Sequence, residues 1–323
     1  MTSTFVIGAT GFVGGAIARH LAAGGRTVAG LARTEQAAAT LRSQGVTPVA
    51  GDLDARRSAV IEAASAADEV VYAAQAGPDR ETATVAELTN ALAGTGRTLV
   101  FLSGSGVLLQ RTGGAWSPDV FAEDDVFTPE PSAAFRKAAE DTVLAVAGPK
   151  SRTMVVRPGL IWGPGDHGHL PMIYQSVAAT GAAAYVGEGL NTYSHVHVDD
   201  VARLFALALD NGRTGALYHA VAGEIPNRWI AEKVAEDLGV GTRSVTPGQA
   251  AAVWGEFGAL VMAASSRIRA PRTRRELGWR PEHTDLLTLI GEERLRKLAR
   301  PDRPAAHHPA DHPRAHLPGR ALP

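Results

Sequence analysis

The 323-residue sequence contains no cysteine, so it can form neither a disulfide nor a thiolate metal site, and it has no cysteine nucleophile. Its 32 basic and 33 acidic residues leave a formal net charge of -1, which gives no electrostatic argument for binding nucleic acid or an anionic membrane. No uninterrupted apolar stretch reaches the roughly 18 residues that a membrane span needs. The first residues also lack the basic and apolar regions of a secretory signal. We therefore expect a soluble cytoplasmic protein.

Short β-branched runs alternate with alanine-rich stretches in the first half of the chain. The runs lie at 3–8, 27–32, 46–50, 69–74 and 97–103. Strands that alternate with helices at this spacing indicate βαβ units and a mostly parallel sheet covered on both faces. The sequence therefore predicts an α/β fold built on a Rossmann-type doubly wound parallel sheet.

The second half is less regular. A Gly/Pro/Asp-rich stretch runs from Gly104 to about Pro131, and connections of this length are often lids or binding loops. A helix is predicted over about 132–147. Another follows an aspartate N-cap in "HVDDVARLFALAL", and a third runs from Pro226 to a cap at Gly239. The Pro- and His-rich end, 299–323, has little to bury and is predicted to be disordered.

Three glycines fall three apart in "GATGFVGGAIA", where the first strand becomes a helix. Gly8 allows a tight turn, Gly11 lets backbone N–H groups approach an anion, and Gly14 lets the helix pack close to the strand. The helix N-terminus then offers unpaired donors and a positive dipole end to a phosphate. Because there is no Gly-Lys-Ser/Thr, the turn favours a dinucleotide over a nucleoside triphosphate.

Two strand ends bear on the identity of the dinucleotide. Arg33 stands where NAD-binding proteins commonly carry an acidic residue for the ribose 2′-OH, and a cation there can pair with a 2′-phosphate. Arg33 therefore favours NADP over NAD. In "GDLD", Asp52 can accept a hydrogen bond from the adenine amino group; equally, Asp52 or Asp54 can cap the next helix. The sequence leaves these two roles open.

The segments "GATGFVGG", "GDLD", "FLSGSGV", "RPGLIWGPG", "VHVDDVA" and "LGWRP" follow in this order from Gly8 to about Pro281. In this combination the chain resembles the short-chain dehydrogenase/reductase superfamily, specifically its extended and atypical branch of nucleoside-diphosphate-sugar epimerases and dehydratases. The resemblance implies an NADP-binding Rossmann domain, 1–157, and a smaller C-terminal α/β substrate domain, 158–298, with some elements interleaved. Many relatives are dimers, so a homodimer is an expectation.

The resemblance also implies that the cofactor lies along the carboxyl edge of the sheet. The residues expected to contact it are Gly8, Thr10, Gly11, Phe12, Val13, Arg33, Asp52, Leu53, Ala73, Ala74, Arg136 and Pro158.

The acid–base pair of this superfamily, a Tyr four residues before a Lys, is missing. The corresponding helix reads "PSAAFRKAAED". When this helix is aligned with the family on Glu140, Ser132 falls at the Tyr position and Arg136 at the Lys position. Shifting the alignment by one residue puts Ala133 and Lys137 at these positions instead. Arg136 or Lys137 can still bind the nicotinamide ribose, or either can be an exposed cation. An arginine does not donate a proton at ordinary pH.

Other side chains can replace the missing pair. Ser103 and Ser105 end the fifth strand and can contact the substrate oxygen, or they can satisfy backbone groups in the turn. Tyr193 can donate a proton to a developing alkoxide. With Arg136, these three residues are the candidate catalytic set.

Two loops and a strand hold further polar and aromatic side chains. Those that can act as acids are Asp166, His167, His169, His195 and His197. The two His-x-His pairs suggest a metal, but no third ligand follows at an informative spacing, and no metal site is predicted. Trp162 and Tyr185 are expected to be pocket walls or core residues.

Three functions follow from these features. The first is an NADP-dependent oxidoreductase that acts on a carbonyl or hydroxyl of a small-molecule substrate, with a non-standard acid–base centre. The alternatives are a sugar-nucleotide epimerase or dehydratase and a non-catalytic NADP-binding redox sensor. The missing Tyr weakens the second and favours the third.

Overall fold

The computed structural model of the chain describes residues 1–300. The segment predicted to be disordered, 299–323, lies outside this range apart from its first two residues. The strands are β1 Ser3–Ile7, β2 Thr27–Ala32, β3 Thr47–Ala50, β4 Glu69–Tyr72, β5 Thr98–Leu102, β6 Arg152–Pro158, β7 Leu160–Trp162, β8 Ala183–Val186, β9 Thr192–His197, β10 Ala216–Ala220, β11 Gly223–Pro226 and β12 Thr242–Val245. The helices are α1 Phe12–Ala23, α2 Glu35–Ser43, α3 Arg57–Ala66, α4 Pro78–Leu92, α5 Ala134–Ala145, α6 His169–Thr180, α7 Val198–Asn211, α8 Asn227–Leu238, α9 Pro247–Ala263, α10 Pro271–Leu277 and α11 Glu293–Leu298.

Seven strands form one parallel sheet in the order β10-β6-β5-β4-β1-β2-β3. The chain moves outward from β1 in one direction through β2 and β3, and in the other through β4, β5 and β6. The strand order therefore reverses between β1 and β4, and such a switch point opens a crevice at the carboxyl ends of the strands. The predicted Rossmann-type doubly wound sheet is confirmed.

Helices cover both faces of this sheet, as its apolar strands require. On one face α1 and α7 bury Ile17, Leu21 and Phe205 against the strands. On the other face α3, α4 and α5 bury side chains such as Leu88 and Val143. The inward stripe of α7 consists of Val201, Leu204, Phe205 and Ala208, which are all buried.

The C-terminal part of the chain builds a smaller α/β unit with its own core. It contains a three-stranded sheet, β11-β9-β7, and a parallel pair, β12-β8. Helices α6, α8, α9 and α11 pack around these strands. The chain interleaves the two units, because α7 and β10 return to the large sheet.

Local signals place some helix ends correctly. Helix α8 follows Pro226 and ends at Gly239, which has φ +64°. The predicted aspartate cap of α7 is wrong, because Nδ1 of His197 accepts the Asp199 N–H at 3.2 Å instead. Helix α5 begins at Ala134, since the residues before it form a 3₁₀ turn. Within residues 1–300, no helix has the length and apolar character needed to cross a membrane.

Candidate active site

The turn between β1 and α1 is packed so closely that two of its positions require glycine. Gly8 has φ +96°, and a Cβ there would lie 2.6 Å from the carbonyl oxygen of Ala73. A Cβ on Gly14 would lie 2.2 Å from the carbonyl oxygen of Gly8. Both distances are too short for a Cβ, so the turn, α1 and the end of β4 approach each other only because these side chains are absent.

Helix α1 begins without a side-chain cap. Its N-cap is Gly11, and no acidic residue lies in the first turn. The first N–H groups of a helix have no intrahelical partner and carry the positive end of its dipole. Thr10 and Gly11 are exposed at this helix start, and Phe12 and Val13 after them are half-buried. This cradle fits the pyrophosphate of a dinucleotide.

A loop of the C-terminal part, residues 163–168, lies over the start of α1. The rings of Phe12 and His167 have centroids 5.3 Å apart, and a Cβ on Gly163 would lie 3.3 Å from the Phe12 ring. Arg294 holds the loop by donating to the carbonyl oxygen of Gly163 at 3.0 Å. The glycine turn therefore lies at the junction of the two units.

Arg33 and Asp52 differ in how far their charges are already paired. Arg33 is exposed at the end of β2 and forms no ion pair with the residues that the structure describes, while Thr34 caps α2. Asp52 accepts from the backbone N–H groups of Asp54 and Arg56 and pairs with the Arg56 guanidinium at 3.1 Å. The Arg56 hydrogen bond lowers the pKa of Asp52. Asp52 therefore stabilises the turn before α3, and its contact with adenine stays a prediction.

The other expected cofactor contacts lie along the same edge of the sheet. Leu53 is buried just after β3, Ala73 and Ala74 are half-buried after β4, and Pro158 is buried at the end of β6. Because the strands are parallel, their carboxyl ends meet at this edge. These residues therefore lie at one edge of the sheet, and their contact with the cofactor stays a prediction.

A buried polar network lies behind Ser103. The Ser103 hydroxyl donates to Glu140 at 2.5 Å, and Arg157 donates to both carboxylate oxygens of Glu140 at 3.0 and 2.5 Å. A further nitrogen of Arg157 lies 3.2 Å from Nε2 of His219, and Nδ1 of His219 is 2.9 Å from the carbonyl oxygen of Arg269. Burial, together with the Arg157 charge, lowers the pKa of His219 to about 3. The Ser103 proton is therefore committed to Glu140.

Ser105 and Tyr193 are joined by a third residue. The backbone of Tyr193 bridges to Ser266, whose hydroxyl donates to the carbonyl oxygen of Ser105 at 2.6 Å. Burial, and then the Glu130 charge, raise the pKa of Tyr193. Glu130 in turn accepts from the hydroxyl and the N–H of Ser132, the residue at the family's Tyr position. The Tyr193 ring itself packs edge-on against His169 at 4.8 Å.

Arg136, at the family's Lys position, is held by protein groups. Its guanidinium donates to the carbonyl oxygen of Leu102 at 3.1 Å and lies 2.8 Å from the fully buried carboxylate of Glu81. Burial raises the pKa of Glu81 to about 7, and the Arg136 charge opposes this shift. Lys137 pairs with Asp141 on the helix surface. A ribose contact for either cation stays a prediction.

Three polar side chains of the C-terminal unit line a small cavity. Nε1 of Trp162, Nε2 of His169 and Nδ1 of His195 are buried there without a hydrogen-bond partner among residues 1–300. Burial lowers the pKa of His169 and of His195 to about 4. Both imidazoles are therefore neutral near pH 7, which removes them as general acids.

The remaining predicted side chains lie near this unit. Asp166, in the covering loop, has a carboxylate oxygen 3.6 Å from the Arg294 guanidinium. Tyr185 is buried beneath the Arg228 guanidinium. Sequence reasoning missed Glu81 and the Glu140–Arg157 pair as site residues. Glu140 only fixes the alignment of its helix with the family's Tyr and Lys positions, and a charged residue in a helix is ordinarily expected to face solvent.

The parallel sheet, its switch point and the uncapped glycine turn define a Rossmann-type dinucleotide-binding protein of the short-chain dehydrogenase/reductase type. The chain belongs to the NAD-dependent epimerase/dehydratase family, whose model matches residues 4–222.

Relatives and solved structures support this assignment. An uncharacterised protein of Schizosaccharomyces pombe is 34% identical over 300 residues, covering 90% of this chain and 98% of its own. A 4-hydroxy-2-methyl-3-oxo-4-farnesyl-3,4-dihydroquinoline-1-oxide ketoreductase of Stigmatella aurantiaca is 29% identical over 232 residues, 68% of each chain. The structure resembles that of the dTDP-glucose 4,6-dehydratase DesIV of Streptomyces venezuelae with NAD bound, with a TM-score of 0.71, 22% identity, and 91% and 96% of the two chains covered. The last likeness shows the fold alone.

Proposed function

We propose that the protein is an NADP-dependent oxidoreductase that acts on a carbonyl or hydroxyl of a small molecule with a non-standard acid–base centre. The observation that carries the proposal is the glycine cradle at α1 with the unpaired Arg33 beside it. Membership of an NAD-dependent family and similarity to a ketoreductase support the reaction class.

The residues at the crevice fit the cofactor. The N–H groups at the start of α1 would hold the pyrophosphate, and Arg33 would pair with a ribose 2′-phosphate by charge-assisted hydrogen bonds. The Cβ positions at Gly8 and Gly14 are filled by neighbouring backbone, so the cradle keeps its shape without reorganisation. When bound, the nicotinamide supplies or accepts the hydride.

Tyr193 is the proton donor in this proposal. Its phenol, like that of any tyrosine, is protonated at neutral pH, and burial raises its pKa further; its hydroxyl forms no hydrogen bond with the residues described here, so its proton is free for a substrate oxygen. Ser103 already donates to Glu140, which leaves its oxygen only as an acceptor. Ser105, which is linked to Tyr193 through Ser266, would position the substrate.

The proposed reaction needs only one transfer of hydride and proton. An epimerase or dehydratase must oxidise and then reduce its substrate while shuttling protons, which is the work of the missing Tyr/Lys pair. Here Ser132 and Arg136 occupy those positions, and both are bound to protein carboxylates. These contacts favour the simpler reductase over the epimerase or dehydratase.

The first experiment is a titration with NADPH and with NADH, followed by nicotinamide fluorescence. We expect NADPH to bind more tightly. Arg33→Ser should weaken NADPH at least about tenfold and leave NADH almost unchanged, because a charge-assisted hydrogen bond contributes about 1.5–3 kcal/mol. Arg42→Ser is the matched control, since Arg42 is also exposed but is paired with Glu35. Failure of both nucleotides to bind would overturn the proposal.

The second experiment measures nicotinamide oxidation with a panel of ketones and aldehydes. Tyr193→Phe should lower kcat by about 10²–10⁴-fold while NADPH affinity stays the same, because only the proton donor is removed. Unchanged kcat would remove Tyr193 as donor but leave the reductase in place. Tight NADPH binding with no turnover of any substrate would instead favour the redox sensor.

A further inference from the structure

Two histidines and a carboxylate that the proposed reaction does not use meet at the start of α7. One nitrogen of His197, one nitrogen of His283 and a carboxylate oxygen of Asp199 lie within 4.8 Å of one another. His283 comes from the segment between α10 and α11, and its ring stacks on His197 with centroids 4.3 Å apart. His283 is a ligand candidate that lies far from His197 in the sequence, so the sequence spacing does not show it.

The charges around this cluster favour a cation. Asp199 forms no ion pair with an arginine or lysine of residues 1–300, and its nearest basic neighbour is Nδ1 of His197 at 3.7 Å. Neighbouring Asp200, by contrast, is already neutralised by Arg203 at 2.7 Å and accepts two backbone N–H bonds. The negative charge of Asp199 is thus free for a metal ion.

The three side chains also combine one fixed ligand with two adjustable ones. His197 is buried, and Trp162 packs edge-on against its ring at 4.6 Å. The side chains of Asp199 and His283 are 62% and 46% exposed, so they can rotate toward a common point. Metal–ligand bonds of about 2.0–2.2 Å require the three atoms to move closer together than 4.8 Å. Exposed side chains do this at low cost.

We propose that His197, Asp199 and His283 bind a divalent transition-metal ion of the Zn²⁺ type, with water as the fourth ligand. Two imidazoles and one carboxylate are donors that Zn²⁺ prefers in a tetrahedral site. If Nδ1 of His197 is the ligand, the Asp199 N–H that it now accepts lies at an exposed helix start, where water replaces the bond.

The metal site would stabilise a contact that the fold already makes between the segment after α10 and the start of α7. Asp200 accepts the N–H groups of Glu282 and His283 at 2.9 Å each, which joins the segment after α10 to the start of α7. On the other side, a Cβ on Gly163 would lie 3.3 Å from Nε2 of His197 and 3.3 Å from the Phe12 ring. A metal at His197 would therefore stabilise the position of the loop that covers the glycine turn.

The test must separate this cluster from the histidines near the end of the sequence, which are competing ligands by composition. The background is the full chain with the substitutions His307→Asn, His308→Asn, His312→Asn and His316→Asn. After treatment with a chelator, Zn²⁺ is titrated by calorimetry, and Co²⁺ is followed by its visible absorption. We expect one Zn²⁺ per chain and a Co²⁺ spectrum of a four-coordinate site.

Two variants in this background test the ligands. His197→Asn keeps an N-cap residue for α7 while removing the imidazole, and His283→Asn changes an exposed side chain. Each should weaken Zn²⁺ at least about tenfold, and His20→Asn, outside the cluster, should not change it. Zn²⁺ binding that disappears in the background protein, or that persists unchanged in both cluster variants, would overturn the proposal. Circular dichroism checks that every variant is folded.

Discussion

Ser103 donates its hydroxyl proton to Glu140 at 2.5 Å, so the serine oxygen at the end of β5 is left as an acceptor. Glu140 is fully buried, and Arg157, also buried, supplies the balancing charge. This pair links α5 to β6 at the level of the cofactor crevice. The position of Ser103 therefore depends on an ion pair that no solvent reaches.

Removing the charge of Glu140 should destabilise the protein strongly. Glu140→Gln leaves the Arg157 guanidinium buried without a counter-charge, and breaking a buried pair costs about 3–5 kcal/mol. Urea denaturation measures the loss. Asp141→Asn is the matched control, because it changes the next residue and an exposed pair with Lys137, where the expected change is below about 0.5 kcal/mol. Equal losses in the two variants would contradict the buried-pair argument.

Arg136 and Glu81 should be energetically coupled. Because Glu81 is fully buried and Arg136 is its charged neighbour at 2.8 Å, a double-mutant cycle with Arg136→Met and Glu81→Gln should give a coupling of about 1–3 kcal/mol. Lys137→Met should cost much less, since its pair with Asp141 is on the surface. A coupling near zero, together with weaker NADPH binding by Arg136→Met, would show that Arg136 serves the cofactor instead of Glu81.

The two glycines at the start of α1 should respond differently to alanine. A Cβ on Gly11 would lie 3.3 Å from the Gly8 carbonyl oxygen, which small shifts relieve, whereas on Gly14 the distance would be 2.2 Å. Gly11→Ala should therefore keep the fold but weaken NADPH at least about tenfold by entering the phosphate cradle. Gly14→Ala should lower both the unfolding temperature and NADPH affinity. Gly24→Ala, with ordinary contacts of 3.5 Å, is the control; similar behaviour of all three would refute this account.

The fold can be predicted from the sequence because each sequence signal for a strand, turn or helix end is local. Five β-branched runs predict β1 to β5. Of these, β1, β4 and β5 are buried almost throughout, and strands buried on both faces must be apolar along their length. Gly8 and Gly14 mark the only kind of residue that fits the turn, and Gly239 marks a helix end in the left-handed region. None of these inferences requires knowing which distant residues meet.

Pairs distant in sequence account for what the sequence does not reveal. Nothing near Arg136 indicates that its partner is Glu81 on another helix, and nothing near His197 indicates His283. The burial of Glu140 is equally hidden, because an isolated glutamate is expected at the surface and only the opposing Arg157 allows it inside. The cap of α7 is missed for another reason: aspartate is the usual cap, and here a histidine nitrogen takes that place.

The neutral histidines in the C-terminal cavity should make stability depend on pH. His195 is 2% exposed, and burial lowers its pKa from 6.5 to about 4. Between these values the unfolded chain binds more protons than the folded one, so the free energy of unfolding should fall as the pH drops from about 6.5 to about 4 and flatten below. At pH 5 this one residue should contribute a loss of about 2 kcal/mol relative to pH 7.5.

His195→Gln removes the titrating group, so its difference in unfolding free energy between pH 7.5 and pH 5 should be smaller than that of the unaltered protein by about 2 kcal/mol. Urea denaturation at both pH values measures it. Trp162→Phe is the control, because it removes a polar group of the same cavity that does not titrate. It should change the unfolding free energy by the same amount at both pH values. If His195→Gln shows the same pH dependence as the unaltered protein, the imidazole of His195 is not held neutral by burial in this cavity.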